Sequence, residues 1–392
     1  MEEALDRLTE QTRVALAVGF IRDYDEATLA SQTELSEIPA PPFEEDLRAA
    51  RMAQLMAEAG LDDVHRDAVG NVIGHRPGSD GNVPVVIAAH LDTVFPIGTD
   101  VTVTREGNLV RGPGIADDAR GLASLLTLAR ALDTSAIQTV HPLRFVATVG
   151  EEGIGNLRGV KHLFGVDGAG LDAAGFISLD GAGLDRVIVN GLGSRRFRVT
   201  GRGPGGHSWV DWGRPNPIHA LADVARRLSE LALPTDPQAT LTIARWGGGT
   251  SINAIPQEAW IELDTRCTSN AELERLESRV REVVATSATA HPELDLVTTV
   301  IGARPGGATD PDEPLVRAAI AATRSQGRNP VLTVSSTDAN IPMSLGIPAI
   351  TLGCGGEAGQ AHTTDEWYRN VHGPAGIIRA LFTVLLTAGI AD

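Results

Sequence analysis

Val85-Val86-Ile87-Ala88-Ala89-His90-Leu91-Asp92 is an unbroken apolar run that stops on a histidine and, two residues on, an aspartate. Five consecutive apolar residues suit a strand buried on both faces, as in a parallel sheet covered by helices. Side chains alternate along a strand, so His90 and Asp92 share one face at its carboxyl end. Two readings fit. His90 is a metal ligand whose second ring N–H is accepted by Asp92, which orients the ring, or it caps the strand beside a turn aspartate.

The same design recurs. Leu143 to Val149 runs into Gly150-Glu151-Glu152, Phe176-Ile177-Ser178-Leu179 ends on Asp180, and Ala349-Ile350-Thr351-Leu352 leads through Gly353 to Gly359 toward His362. Asp117-Asp118 follows the irregular Arg111 to Ala116 and opens a helix running to about Leu132. Acids at a helix start also satisfy the helix dipole. In open α/β sheets ligands bind at the carboxyl edge of the strands, where such residues converge from distant segments. Histidine and carboxylate without thiolate suit Zn²⁺, with Co²⁺ or Mn²⁺ as substitutes.

Composition narrows the class. The chain has 392 residues, 42% hydrophobic and 21% charged, enough for a sizeable core and two or three domains. Its 33 basic and 50 acidic residues give a net charge of −17, which argues against nucleic acid or an anionic membrane as the main partner. Lys161 is the sole lysine, and Cys267 and Cys354 are too few for a disulfide framework, so a reducing cytoplasm is expected. The acidic Met1-Glu2-Glu3 start does not resemble a signal peptide, and no apolar run reaches the roughly 20 residues of a membrane span.

In chain order, residues 2 to 24 read as one amphipathic helix and Glu44 to Ala59 as another, stopped by Gly60. Val64 to Ile73 reads as strand, turn and strand. Between about 190 and 311 the texture changes. Strands at Arg196 to Thr200, Thr240 to Ala244, Ile255 to Arg266 and Leu294 to Ile301 alternate with helices at Pro217 to Ala232 and Ala271 to Ala288. Without fully buried runs, these suggest an α+β module with one solvent-facing sheet side. The expected fold is therefore α/β, a mostly parallel twisted sheet between helices in residues 1–190 and 312–392, interrupted by a smaller α+β lid at 191–311. The return carries a helix from Pro314 to Ser325, a strand from Pro330 to Val334 and a last helix from Gly373 to Thr387. The glycine clusters match neither a phosphate loop nor a dinucleotide fingerprint.

Six segments carry a resemblance across nearly the whole chain: Ala89 to Val94, Gly112 to Asp118, Gly150 to Gly153, Gly205-Gly206-His207-Ser208, Gly249 to Pro256 and Ala361 to Glu366. In this order they resemble the dinuclear zinc peptidases that include aminoacylase, tripeptide aminopeptidase, glutamate carboxypeptidase and succinyl-diaminopimelate desuccinylase. The resemblance implies two divalent ions bridged by Asp117, with His90 and Asp180 on one and Glu152 and His362 on the other. It makes Glu151 the general base, Asp92 the support of His90, and His207 a donor to the oxyanion, reaching the partner subunit's site. Asn253 and Arg266 resemble lid residues that hold the substrate's carbonyl or carboxylate, although Arg266 equally suits a salt bridge within the lid. It further implies a cis bond between Asp117 and Asp118, a lid that forms a homodimer, and a small peptide or N-acyl amino acid as substrate. His65, His75, His141, His162, His219, His291 and His372 match no motif and read as surface or structural.

Two positions depart from the pattern. Ala119 stands where many relatives have lysine, and Asp180 where deacylases and carboxypeptidases often have glutamate. Aspartate there tilts the reading toward an aminopeptidase or dipeptidase, with an N-acyl amino acid hydrolase as the rival. A noncatalytic metal-holding protein is the alternative from another class, and it does not require an unligated base.

Overall fold

The computed structural model describes residues 1–81, 83–166 and 170–391. Strand Val85–His90 is buried along its whole length. Its side chains divide by parity. Val85, Ile87 and Ala89 join a core with Leu122, Leu125 and Leu126 of helix Ala119–Thr134 and Leu381 and Leu385 of helix Gly373–Ala388. Val86 and Ala88 join a second core with Val146, Val160, Phe164, Phe176 and Met343. Apolar packing on both faces is why no polar residue interrupts the run.

The strand runs parallel to both neighbours, Leu143–Thr148 and Gly175–Leu179, and the latter pairs in parallel with Ala349–Leu352. Beyond Leu143–Thr148 lie the antiparallel strands Val72–Arg76 and Asp62–Arg66. Past Ala349–Leu352 lies Arg186–Gly191, paired in parallel with Val331–Ser335. The four central parallel strands therefore end at one edge. His90, Glu151 with Glu152, Asp180 and the loop toward His362 all leave the sheet there.

The chain forms two compact units, Met1–Gly191 with Ala308–Asp392, and Leu192–Gly307. The second holds an antiparallel sheet in the order Ala239–Gly248, Glu258–Cys267, Gly193–Arg202, Asp295–Arg304. Helices Pro217–Ser229 and Asn270–Ala290 pack Leu221, Val224, Val280 and Val284 against Phe197, Val199, Ile261 and Leu263. The other face is left to solvent, as the alternation in these strands requires.

Three local expectations change. The helix expected over residues 2–24 is broken into Glu2–Thr9 and Thr12–Asp23, because Gln11 is extended at φ −73° and ψ 129°. The break lets Leu5 and Leu8 enter the same core as Val14, Ala17 and Ile21. An unexpected helix, Asp25–Ser36, follows. Its buried face is largely polar: Thr28 bonds Thr127 at 2.8 Å, Gln32 donates to the Ile115 carbonyl at 2.7 Å and Ser36 to that of Pro113 at 3.0 Å. A face held by hydrogen bonds leaves no hydrophobic period to read. Four strands of three residues each, Thr104–Glu106, Leu109–Arg111, Trp367–Arg369 and Glu357–Gly359, are likewise too short to announce themselves. They pair Val110 with Tyr368 and so join the segment before Asp117 to the segment after His362.

Candidate metal centre

Helix Ala119–Thr134 begins just after the aspartate pair rather than on it. Asp118 is its N-cap, accepting the Gly121 N–H at 3.0 Å, so Asp117 stands outside the first turn and serves no dipole. The Asp117-Asp118 peptide bond is cis, as the resemblance implies. Asp117 Oδ1 lies 2.9 Å from His90 Nε2, and its Oδ2 lies 3.2 Å from His362 Nε2. His362 Nε2 is also 2.9 Å from Glu152 Oε1. One carboxylate thus faces an imidazole with each oxygen. Asp180 follows strand Gly175–Leu179 at the same edge, and the charges of Asp117 and Glu152 act on it. Glu151, beside Glu152, is buried.

The expected role of Asp92 needs correction. The second ring nitrogen of His90, Nδ1, donates to the backbone carbonyl of Asp92 at 2.9 Å, while the nearer carboxylate oxygen stands off at 3.8 Å. That carboxylate instead accepts the N–H groups of Glu151 at 2.9 Å and Glu152 at 2.7 Å. Asp92 orients the ring with its main chain and the glutamate pair with its side chain.

Two further acids were not singled out from the sequence. Asp118 is fully buried and accepts the His90 N–H at 3.0 Å and the Gly181 N–H at 3.2 Å besides its cap. It thereby ties together the segments that carry His90, Asp117 and Asp180. Glu366 is buried and accepts the N–H groups of Gly114, Ala116 and Asp117 at 3.1, 2.8 and 3.0 Å. It sits in the matched stretch with His362, and that proximity was its only signal.

The electrostatics follow from crowding acids at low dielectric. Burial, then the charge of Asp117, pushes Asp180 up to about 7. Burial also pushes Asp92 up to about 6 and Glu366 up to about 7, and lifts Asp118 well above the carboxylate range. For Asp117 burial is outweighed by hydrogen bonds from His362 and His90, which hold it well below that range. Burial opposes charge on His90, yet Asp117, Asp118 and Asp92 raise its affinity for a proton. Bonds to Asp117 and Glu152 push His362 up to about 10. Cys354 is held as a thiol, pushed up to about 12 by burial, so it offers no thiolate. His90, Asp117 and Glu152 each present a ligand atom within 4.8 Å of the others. Imidazole nitrogen with excess carboxylate oxygen fits borderline divalent cations.

The other candidates lie in the second unit. His207 and Ala254 pair in a short antiparallel ribbon, and the Ser208 N–H donates to the Asn253 carbonyl at 3.0 Å, so His207 and Asn253 stand together. Both are exposed. His207 Nδ1 accepts the N–H groups of Trp209 and Val210 at 3.1 and 3.3 Å, which leaves the proton on Nε2. Arg266 donates to Asp264 at 2.6 Å, the salt bridge within the lid that the sequence left open. Arg196 shares that carboxylate at 3.1 Å.

Over 340 residues the chain is 27% identical to succinyl-diaminopimelate desuccinylase of Corynebacterium glutamicum, covering 85% of this chain and 89% of the relative. It is 28% identical over 288 residues to cytosol non-specific dipeptidase of Escherichia coli, 64% of this chain and 56% of the relative. Aminopeptidase PepT from Bacillus cereus has the same fold, with a TM-score of 0.70 at 23% identity over 93% of this chain and 97% of that one. The dipeptidase Dug1p from Saccharomyces cerevisiae gives 0.76 at 15% identity, over 97% and 100%. The model of peptidase family M20/M25/M40 matches residues 86–385, from inside the His90 strand to the last helix. That span takes in every residue of the candidate centre, and the chain belongs to peptidase family M20/M25/M40.

Proposed function

We propose that this protein hydrolyses an amide bond in small peptides, as an aminopeptidase or dipeptidase, at two divalent ions, Zn²⁺ in first place. His90 and Asp180 would hold one ion, Glu152 and His362 the other, and Asp117 both. The observation that carries the assignment is Asp117 itself, whose two oxygens address different imidazoles at 2.9 and 3.2 Å. When bound, such ions acidify water and polarise a carbonyl. The chain's own residues do the rest. Glu151 takes the proton of the attacking water and returns it to the leaving amine, which is what an unligated acid beside the ligand Glu152 can supply. Asp92 holds the backbone of both glutamates. His207 donates its Nε2–H to the oxyanion, supplied by the partner of a homodimer formed through the lid, and Asn253 binds the substrate carbonyl.

Support for the peptidase reading comes from Asp180 and from the dipeptidase among the relatives. That relative's cytosolic name and the pair of free cysteines favour the cytoplasm, and among the described residues no helix is long and apolar enough to cross a membrane. Hydrolysis of N-acyl amino acids is the second reading, favoured by the desuccinylase match. Arg266, engaged by Asp264, serves there as a carboxylate fork only after exchanging that partner.

Turnover of free-amine di- and tripeptides against N-succinyl and N-acetyl amino acids by Zn²⁺-loaded protein separates the two. Activity confined to blocked substrates rejects the peptidase. Glu151→Gln should cut kcat ~10²–10⁴-fold with full metal content, and undiminished turnover would remove the base from Glu151.

A further inference from the structure

At the outer edge of the large sheet, strands Asp62–Arg66 and Val72–Arg76 bring Asp63, His65 and His75 together. We propose that these three residues form an additional metal site, separate from the dinuclear centre, that takes a borderline divalent transition ion such as Cu²⁺, Ni²⁺ or Zn²⁺.

The site originates in a register slip. His65 pairs with Ile73 and Asp62 with His75, so the first strand carries one extra residue between Asp62 and His65. A bulge of this kind re-aims side chains, and Asp63 sits in it at φ +46°, a left-handed conformation that aspartate tolerates. His65 stands opposite Ile73, and His75 lies two residues on from Ile73 along its strand, so both histidines project from the same sheet face. The result is convergence. Asp63 Oδ2 lies 3.8 Å from His65 Nδ1 and 3.9 Å from His75 Nε2. The two rings are nearly parallel, with centroids 6.0 Å apart. Each of the three residues presents a ligand atom within 4.8 Å of the other two. Ligand atoms around a tetrahedral ion lie ~3.3 Å apart for bonds of ~2 Å, so small side-chain rotations close the site. His65 Nδ1 donates to the Asp63 carbonyl at 2.8 Å in the metal-free protein, so an ion bound at that nitrogen displaces this proton.

The local charge favours a cation. Arg144 pairs with His75 from the inner strand, and the carboxylates of Asp62 and Asp63 outnumber it. An edge strand profits from any charge that deters other strands. Two imidazoles turned on one carboxylate oxygen go beyond that need, and two nitrogens with one oxygen rank Cu²⁺ above Ni²⁺ and Zn²⁺.

The test uses the full, untagged chain loaded with two equivalents of Zn²⁺, enough for the dinuclear centre alone, with Cu²⁺ as the probe. The expected result is one further equivalent of copper without loss of zinc, with electron paramagnetic resonance showing splitting from two imidazole nitrogens. In the double variant His65→Ala/His75→Ala the affinity for that equivalent should fall about 10- to 100-fold or more, while zinc content and amide turnover stay unchanged. Asp63→Asn should weaken binding and keep the two-nitrogen spectrum. Copper bound by the double variant as tightly as by the parent overturns the proposal, as does a parent protein that takes up copper only by releasing zinc.

Discussion

Glu366 shows how a residue can govern a metal centre without facing an ion. Its carboxylate gathers three N–H groups of the loop from Gly114 to Asp117, so the position of Asp117 depends on it. A carboxamide has one acceptor oxygen and would turn an NH₂ group toward one of those donors. Glu366→Gln should therefore lower metal affinity ~10–100-fold, measured by competition with a chelator, and Glu366→Asp should recover part of it. Equal affinity in all three proteins would leave Glu366 a merely structural acid. The sequence brought Glu366 into view only as the end of the His362 stretch, because its partner Asp117 lies 249 positions away and nothing local encodes that contact. Asp92 teaches the same lesson. The residue was legible, but which of its groups meets His90 was not, since carbonyl and carboxylate lie within an ångström of each other in reach.

At the scale of elements, helix Ala119–Thr134 was legible from its leucines, while its start was decided by a cap. Gly121 lies where Asp118, the Gly175–Leu179 strand and the helix meet. A methyl group there would run into the Asp118 carboxylate and the Leu179 carbonyl. Glycine to alanine within a helix ordinarily gains about 0.5–1 kcal/mol. Gly121→Ala should instead lose ~1–3 kcal/mol, the usual penalty of overpacking, seen as a lower denaturant midpoint. A midpoint equal to or above that of the parent would refute the crowding. Helix Asp25–Ser36 marks the opposite limit. Its buried Thr28, Gln32 and Ser36 reach Thr127, Ile115 and Pro113 in distant segments, so no pattern within the helix identifies it.

For the whole molecule, the excess of acid makes stability depend jointly on pH and metal. In the metal-free protein His362 is raised to about 10 from 6.5, so its contribution is complete below the unfolded value and is lost as pH rises through the folded one. Asp180 and Asp92, raised to about 7 and about 6 from 3.8, add a cost that grows over their own lower window as they ionise. Chelated protein should therefore show a falling Tm between about pH 6 and pH 10. Loaded protein should show a flatter profile, because ions bind the deprotonated ligands. A chelated Tm that stays level or climbs over this range would contradict the arrangement. The amino-acid sequence by itself determined the parallel strands, the order of the motifs and the donor types, because two-sided burial writes unbroken apolar runs that stop where the sheet meets solvent. Only the tertiary structure decided which oxygen serves which nitrogen, that Asp118 and Glu366 brace the loops, and that His65 and His75 converge on Asp63. Those contacts are made across tens to hundreds of residues or through a one-residue slip in register, and packing, not local periodicity, sets both.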